Sequence, residues 1–82
     1  MKFNDETSME PHLMEEIQTL LGVITANFRS QIDSTAPVAR LGGICTAIHA
    51  FTGEVWTLNL DAQLWYVLVS EDETECITPA EL

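Results

Sequence analysis

Cys45, Cys76, His12 and His49 are the residues of this 82-residue chain whose types suit nucleophilic or metal chemistry. A thiol becomes a working nucleophile when a base lies within hydrogen-bond reach. Cys45 and His49 are four apart in Ile44–Thr52, a stretch rich in β-branched and aromatic residues that reads as a strand. On a strand they share a face but stand about 13 Å apart, at ~3.3 Å per residue. That spacing excludes both a thiol–imidazole pair and joint metal ligation, and no CxxC, HxxxH or HExxH pattern is present. The run Glu71-Asp72-Glu73-Thr74-Glu75 lacks the alternating ligands and glycine of a calcium loop, and reads as a solvated turn. Gly42-Gly43 precedes an expected strand, whereas phosphate-binding glycines open a helix, so the pair reads as a hinge. A glycosidase-type carboxylate pair needs a walled cleft, which one helix on a small sheet does not build. No catalytic residue, metal site or cofactor is assigned, and the chain is read as non-enzymatic.

The elements that must position these residues follow from periodicity. Residues 1–9 read as a flexible acidic arm ahead of a single domain over 10–82. Pro11 suits the first position of a helix, and Glu10, Glu15 and Glu16 suit its positive end. Leu13, Ile17, Leu20, Leu21, Ile24, Phe28 and Ile32 then step by three or four, one apolar stripe over about residues 10–32. Pro37 biases Ala36 away from helix, so 33–43 reads as a linker. Beyond it the period falls to two. Val55–Leu60 alternates, with Trp56, Leu58 and Leu60 on one side. Leu64–Val69 is apolar on both faces, and Cys76–Thr78 forms a short edge strand before Pro79. The expectation is an α+β domain in two layers: one long N-terminal helix on an antiparallel sheet of three or four strands. Its core would set Leu13, Ile17, Leu20, Ile24 and Phe28 against Trp56, Leu58 and Leu60.

Charge narrows the partners. Thirteen acids and three bases leave a net charge of −10. Residues 1–40 hold six acids and all three bases; residues 41–82 hold seven acids and none. Direct nucleic-acid binding needs a basic footprint, and an anionic membrane surface attracts basic segments; neither fits. No apolar run approaches the ~20 residues of a membrane span. The N-terminal residues lack the apolar core of a secretory signal, so a cytoplasmic protein with free, largely buried thiols is expected. Glu71, Asp72, Glu73 and Glu75 crowd into five positions with no base after Arg40. Solubility alone accounts for such a cluster; so does an acidic rim that meets a basic protein, including one that occupies a nucleic-acid-binding groove as a phosphate mimic. Tyr66 and Leu68, on the second face of the Leu64–Val69 strand, add an apolar docking surface or a homodimer contact.

Residues 53–81 resemble the central strands of sterol-carrier-protein-two domains. There a strand of pattern W-T-x-x-L is followed by a second strand, an acidic turn and a strand of pattern D/E-C/V-x-I-T. Trp56-Thr57-Leu58-Asn59-Leu60 and Glu75-Cys76-Ile77-Thr78 stand in those places. The resemblance implies a five-stranded sheet against helices, enclosing a tunnel for fatty-acyl or sterol-like ligands without catalysis. Two readings result. One is a small acidic interaction module, an accessory or inhibitor subunit, that docks on a basic partner. The other is a carrier that holds an apolar ligand between helix and sheet, touched by Phe28, Trp56 and Trp65.

Overall fold

A proline at the first helical position and a carboxylate just before it set the start of the first helix. In a computed structural model that describes residues 10–80, α1 spans Pro11–Arg29. The Glu10 side chain accepts the Leu13 N–H at 2.9 Å, satisfying a backbone donor that has no partner within the helix. The C-terminus closes with two reverse bonds, Ile32 N–H to Asn27 O at 2.8 Å and Gln31 N–H to Phe28 O at 3.2 Å. This is a Schellman closure with Gln31 in the left-handed region at φ 61°, where glycine is usual. The expected arm over 1–9 lies outside the described residues, as do 81–82.

The stretch read as a linker and a first strand is a second helix, α2, over Thr35–Thr52. Pro37 is its third residue. The first four N–H groups of a helix have no internal acceptor, so a proline costs nothing there. Leu41, Ile44, Cys45 and Ile48 step along one face and enter the core or pack against it. Gly53, left-handed at φ 80°, ends the helix by donating its N–H to His49 O at 2.8 Å.

A three-stranded antiparallel sheet follows: β1 Trp56–Leu60, β2 Tyr66–Ser70 and β3 Cys76–Ile77, in that order across the sheet. The class is α+β, and the described residues form two helices and three strands where one helix and three or four strands were expected. The five strands implied by the family resemblance are not found among the described residues. Leu58 lies opposite Leu68, which lies opposite Ile77, so the inner face is a row of apolar side chains. Met14, Ile17, Leu21 and Ile24 of α1, with Leu41 and Ile48 of α2, close over Trp56, Leu68 and Ile77. Among the described residues, no helix is long and apolar enough to cross a membrane.

The expected core is corrected at several positions. The buried stripe of α1 is rotated toward Met14, Leu21 and Thr25, leaving Leu13 and Leu20 half-buried. Phe28 is 41% exposed and meets Tyr66 edge-on, ring centroids 5.5 Å apart at 89°. Leu60 is also exposed. Leu68, expected on an exposed docking face, is 1% exposed and belongs to the core. Val67 on the opposite face is buried too, so β2 offers no wide apolar surface to a second copy.

Thr25 is the buried polar side chain of this core, 0% exposed. Its Oγ1 accepts the Tyr66 N–H at 2.9 Å, joining the middle of α1 to the start of β2. Replacing it by Val keeps the shape and strands that N–H. Thr25→Val should cost about 1–3 kcal/mol in denaturant unfolding, and Thr25→Ser, which keeps the acceptor, should cost less; equal losses would show that packing alone matters. Leu64, at φ 68° and largely exposed, closes the β1–β2 turn, with its N–H on Asp61 O at 2.8 Å. A left-handed residue with a Cβ stores roughly 1–2 kcal/mol, so Leu64→Gly should raise stability by about 1 kcal/mol in the same assay.

Candidate functional site

The acidic rim is the turn between β2 and β3. Ser70 donates its N–H to Glu75 O at 3.0 Å, and Glu73 donates to Ser70 O at 2.9 Å, closing a four-residue loop. Asp72 organises it. Its Oδ1 accepts the Thr74 hydroxyl at 2.8 Å, the Thr74 N–H at 3.1 Å and the Ser70 hydroxyl at 2.9 Å. Those donors, Thr74 first, hold the Asp72 carboxyl below the ordinary aspartate value because they stabilise the anion. Glu73 takes the left-handed position at φ 61°. Glu71, Asp72 and Glu73 are exposed, as expected, while Glu75 is half-buried.

The fold adds a residue that the sequence reading did not place here. Glu54 follows α2 and lines a cleft of about 310 Å³ with Trp56, Ser70, Glu71, Asp72 and Glu75. It is fixed at both ends: its N–H donates to Thr52 Oγ1 at 3.1 Å, and its Oε1 accepts the Trp56 indole N–H at 3.4 Å. Seventeen positions separate Glu54 from Glu71, and the antiparallel pairing of β1 with β2, which sets Trp56 opposite Ser70, brings them together.

A second concavity, about 640 Å³, lies between α1 and α2. Leu13, Ile44, Ala47 and Ile48 line it, with Phe51 beside them and Glu10, Glu16, Arg40 and Glu54 also around it. Arg40 forms an ion pair with Glu16 across the two helices. This groove was invisible to a reading that put Ile44–Thr52 in a strand. The signal was present in the three- and four-residue steps of Leu41, Ile44, Cys45 and Ile48.

The residues expected to touch an apolar ligand occupy three settings. Phe28 stacks at the exposed edge of Tyr66, Trp56 is buried in the core, and Trp65 is half-buried just before β2. Tyr66, half-buried, packs against the core rather than on a free face. Cys45 and His49 are corrected as well. Being four apart on a helix, they are neighbours on one face rather than 13 Å apart. The pair still lacks activation, since burial pushes the Cys45 thiol up, opposite to what a nucleophile needs. Cys76 is raised too, by burial first and then by the Asp61 carboxylate.

No protein family, curated protein or solved structure matches the chain. Surface chemistry therefore carries the functional argument: an acidic turn ordered by Asp72 at one end of the sheet, and an apolar groove that shares Glu54 with the cleft beside it.

The turn yields a pH prediction. Asp72 should titrate by carboxyl-carbon NMR below the ordinary value of about 3.9, and Thr74→Ala should move the midpoint up. Because the folded-state value is the lower one, this stabilisation is present above the unfolded value and is lost as pH falls through the folded one. An unchanged midpoint in Thr74→Ala would remove Thr74 as the cause.

Proposed function

We propose that this chain is a small, acidic, non-catalytic interaction module, an accessory or inhibitor subunit, that docks on a basic protein partner through the β2–β3 turn. The observation that carries this reading is the ordering of the turn. Asp72 is held by three hydrogen bonds and Glu54 is held beside it, so the carboxylates are presented by a set backbone rather than by a loose run of acids. Pre-ordered charge spares a binding event part of the entropy cost of fixing side chains. Nothing basic follows Arg40 in the sequence to neutralise the cluster, and Arg40 itself is paired with Glu16. β2 does not supply the apolar part of the docking surface, because Leu68 lies in the core. A homodimer through that strand loses its ground for the same reason.

Charge-led docking has a kinetic signature. Complementary fields speed association, and salt screens them over a ~10 Å Debye length. The test is titration of the protein with an unstructured Lys/Arg peptide across a salt series. Binding should weaken steeply with salt. The variant Glu71→Gln, Asp72→Asn, Glu73→Gln, Glu75→Gln should bind more weakly with a flatter salt dependence, while its circular dichroism and unfolding midpoint stay near those of the parent. Asn at 72 keeps an acceptor oxygen for Thr74, so the turn survives. A variant that binds as the parent does at every salt concentration would leave the acids with solubility as their only role.

A further inference from the structure

We propose that the groove between α1 and α2 seats an amphipathic helix of a basic partner, with its apolar side chains on the groove floor and its Lys or Arg residues on the acidic rim. This rests on the preceding reading, that the partner is basic, and states how its apolar side is met. The floor is Leu13, Ile44, Ala47 and Ile48, and Phe51 stands 89% exposed at its side. The α2 wall is low: a Cβ built on Gly43 would meet nothing within 4 Å, so a partner backbone can come close there. Two packed helices with an apolar trough between them match the way amphipathic helices are bound, through apolar anchors at i, i+3, i+4 and i+7.

Charge selects the occupant. The edge of the groove itself carries three carboxylates, Glu10, Glu16 and Glu54, against one guanidinium, Arg40, a balance of −2. A fatty-acyl ligand would bring its own carboxylate to that rim. A second copy of this chain would bring another ten negative charges. A cationic helix satisfies both the apolar floor and the acidic edge. Glu54 lines the groove and also the cleft beside Glu71 and Asp72, so basic residues on one end of a seated helix reach the acidic turn. One partner then engages both features.

The test uses two synthetic Leu/Lys peptides of equal composition, one patterned to form an amphipathic helix and one patterned to alternate. Ala47→Trp fills the groove from an exposed helical position, and Phe51→Ala removes the exposed wall. The patterned peptide should bind the parent more tightly than the alternating one and shift the NMR signals of Ile44, Ala47 and Phe51. Ala47→Trp should weaken it at least tenfold and Phe51→Ala several-fold, with the alternating peptide unaffected by either change. If the two peptides bind alike, through the turn alone, and both groove variants bind as the parent, the groove assignment falls while the acidic docking reading stands. If neither peptide shows salt-sensitive binding, both fall. A dimer in sedimentation that Ala47→Trp abolishes would give the groove to a second copy, and displacement of the patterned peptide by an alkyl carboxylate would give it to a lipid; either overturns the proposal.

Discussion

The fold turns on the hydrogen bond from the Tyr66 N–H to Thr25 Oγ1. β3 is two residues long and pairs with Leu68 and Val69, so it stops short of Tyr66. Continued in the same register, the edge would set Pro79 opposite Tyr66, and proline neither donates nor extends a ladder easily. A helix side chain takes over the position. Thr25 thereby fixes α1 over β2 at one rotation, and that rotation decides which residues are core. Met14, Ile17, Leu21 and Ile24 turn inward with Thr25, and Phe28 swings to the edge. Farther back on α1, Ala80 donates its N–H to Gln18 O at 3.1 Å, so the segment after β3 is tied to the same helix.

These contacts explain what could be read from the sequence and what could not. The start of α1 was legible because Pro11 and Glu10 act locally, and β1 was legible because a half-buried strand alternates; the inner face of β2 was not, because Leu64–Val69 is apolar on both faces and Leu68 was assigned to the wrong one. The rotation of α1 was not, because a threonine on an apolar face reads as a gap in the stripe until its acceptor role is seen. α2 was missed for a different reason. Pro37 and the Gly42-Gly43 pair are breakers in most contexts, and their weight outran the four alanines and the apolar steps from Leu41 to Ile48. A proline in the first turn of a helix and one just past its end look alike in sequence. The acidic turn was legible as a cluster, but its order was not, since that depends on which donors face Asp72. The groove needs both helices, so it was lost with α2.

Backbone strain is distributed unusually. Glycine serves a left-handed position at Gly53, yet Gln31, Leu64 and Glu73 occupy three others without it. Meanwhile Gly22, Gly42 and Gly43 sit inside helices, where each costs about 1 kcal/mol relative to alanine. For a chain of this size, whose net stability is of order 5–15 kcal/mol, such choices are not small. Among the described residues, none lies within 4 Å of a Cβ built on Gly42 or Gly43. A low, open wall on α2 is the feature they create.

Charge is divided along the same line. α2 contains no acidic residue, although the chain has thirteen. Glu10, Glu16 and Glu54 border the groove between the helices, and Glu54, Glu71, Asp72 and Glu75 border the cleft at the β2–β3 turn. An apolar trough bounded by carboxylates does two things at once. Its floor rewards burial of hydrocarbon, a term that does not discriminate between ligands. Its rim penalises anions and favours cations, which does. A neutral rim would accept any greasy helix or acyl chain, and a bare acidic turn would accept any polycation with little affinity. If one partner engages both surfaces, as proposed, their junction at Glu54 selects for an apolar face and a cationic one together.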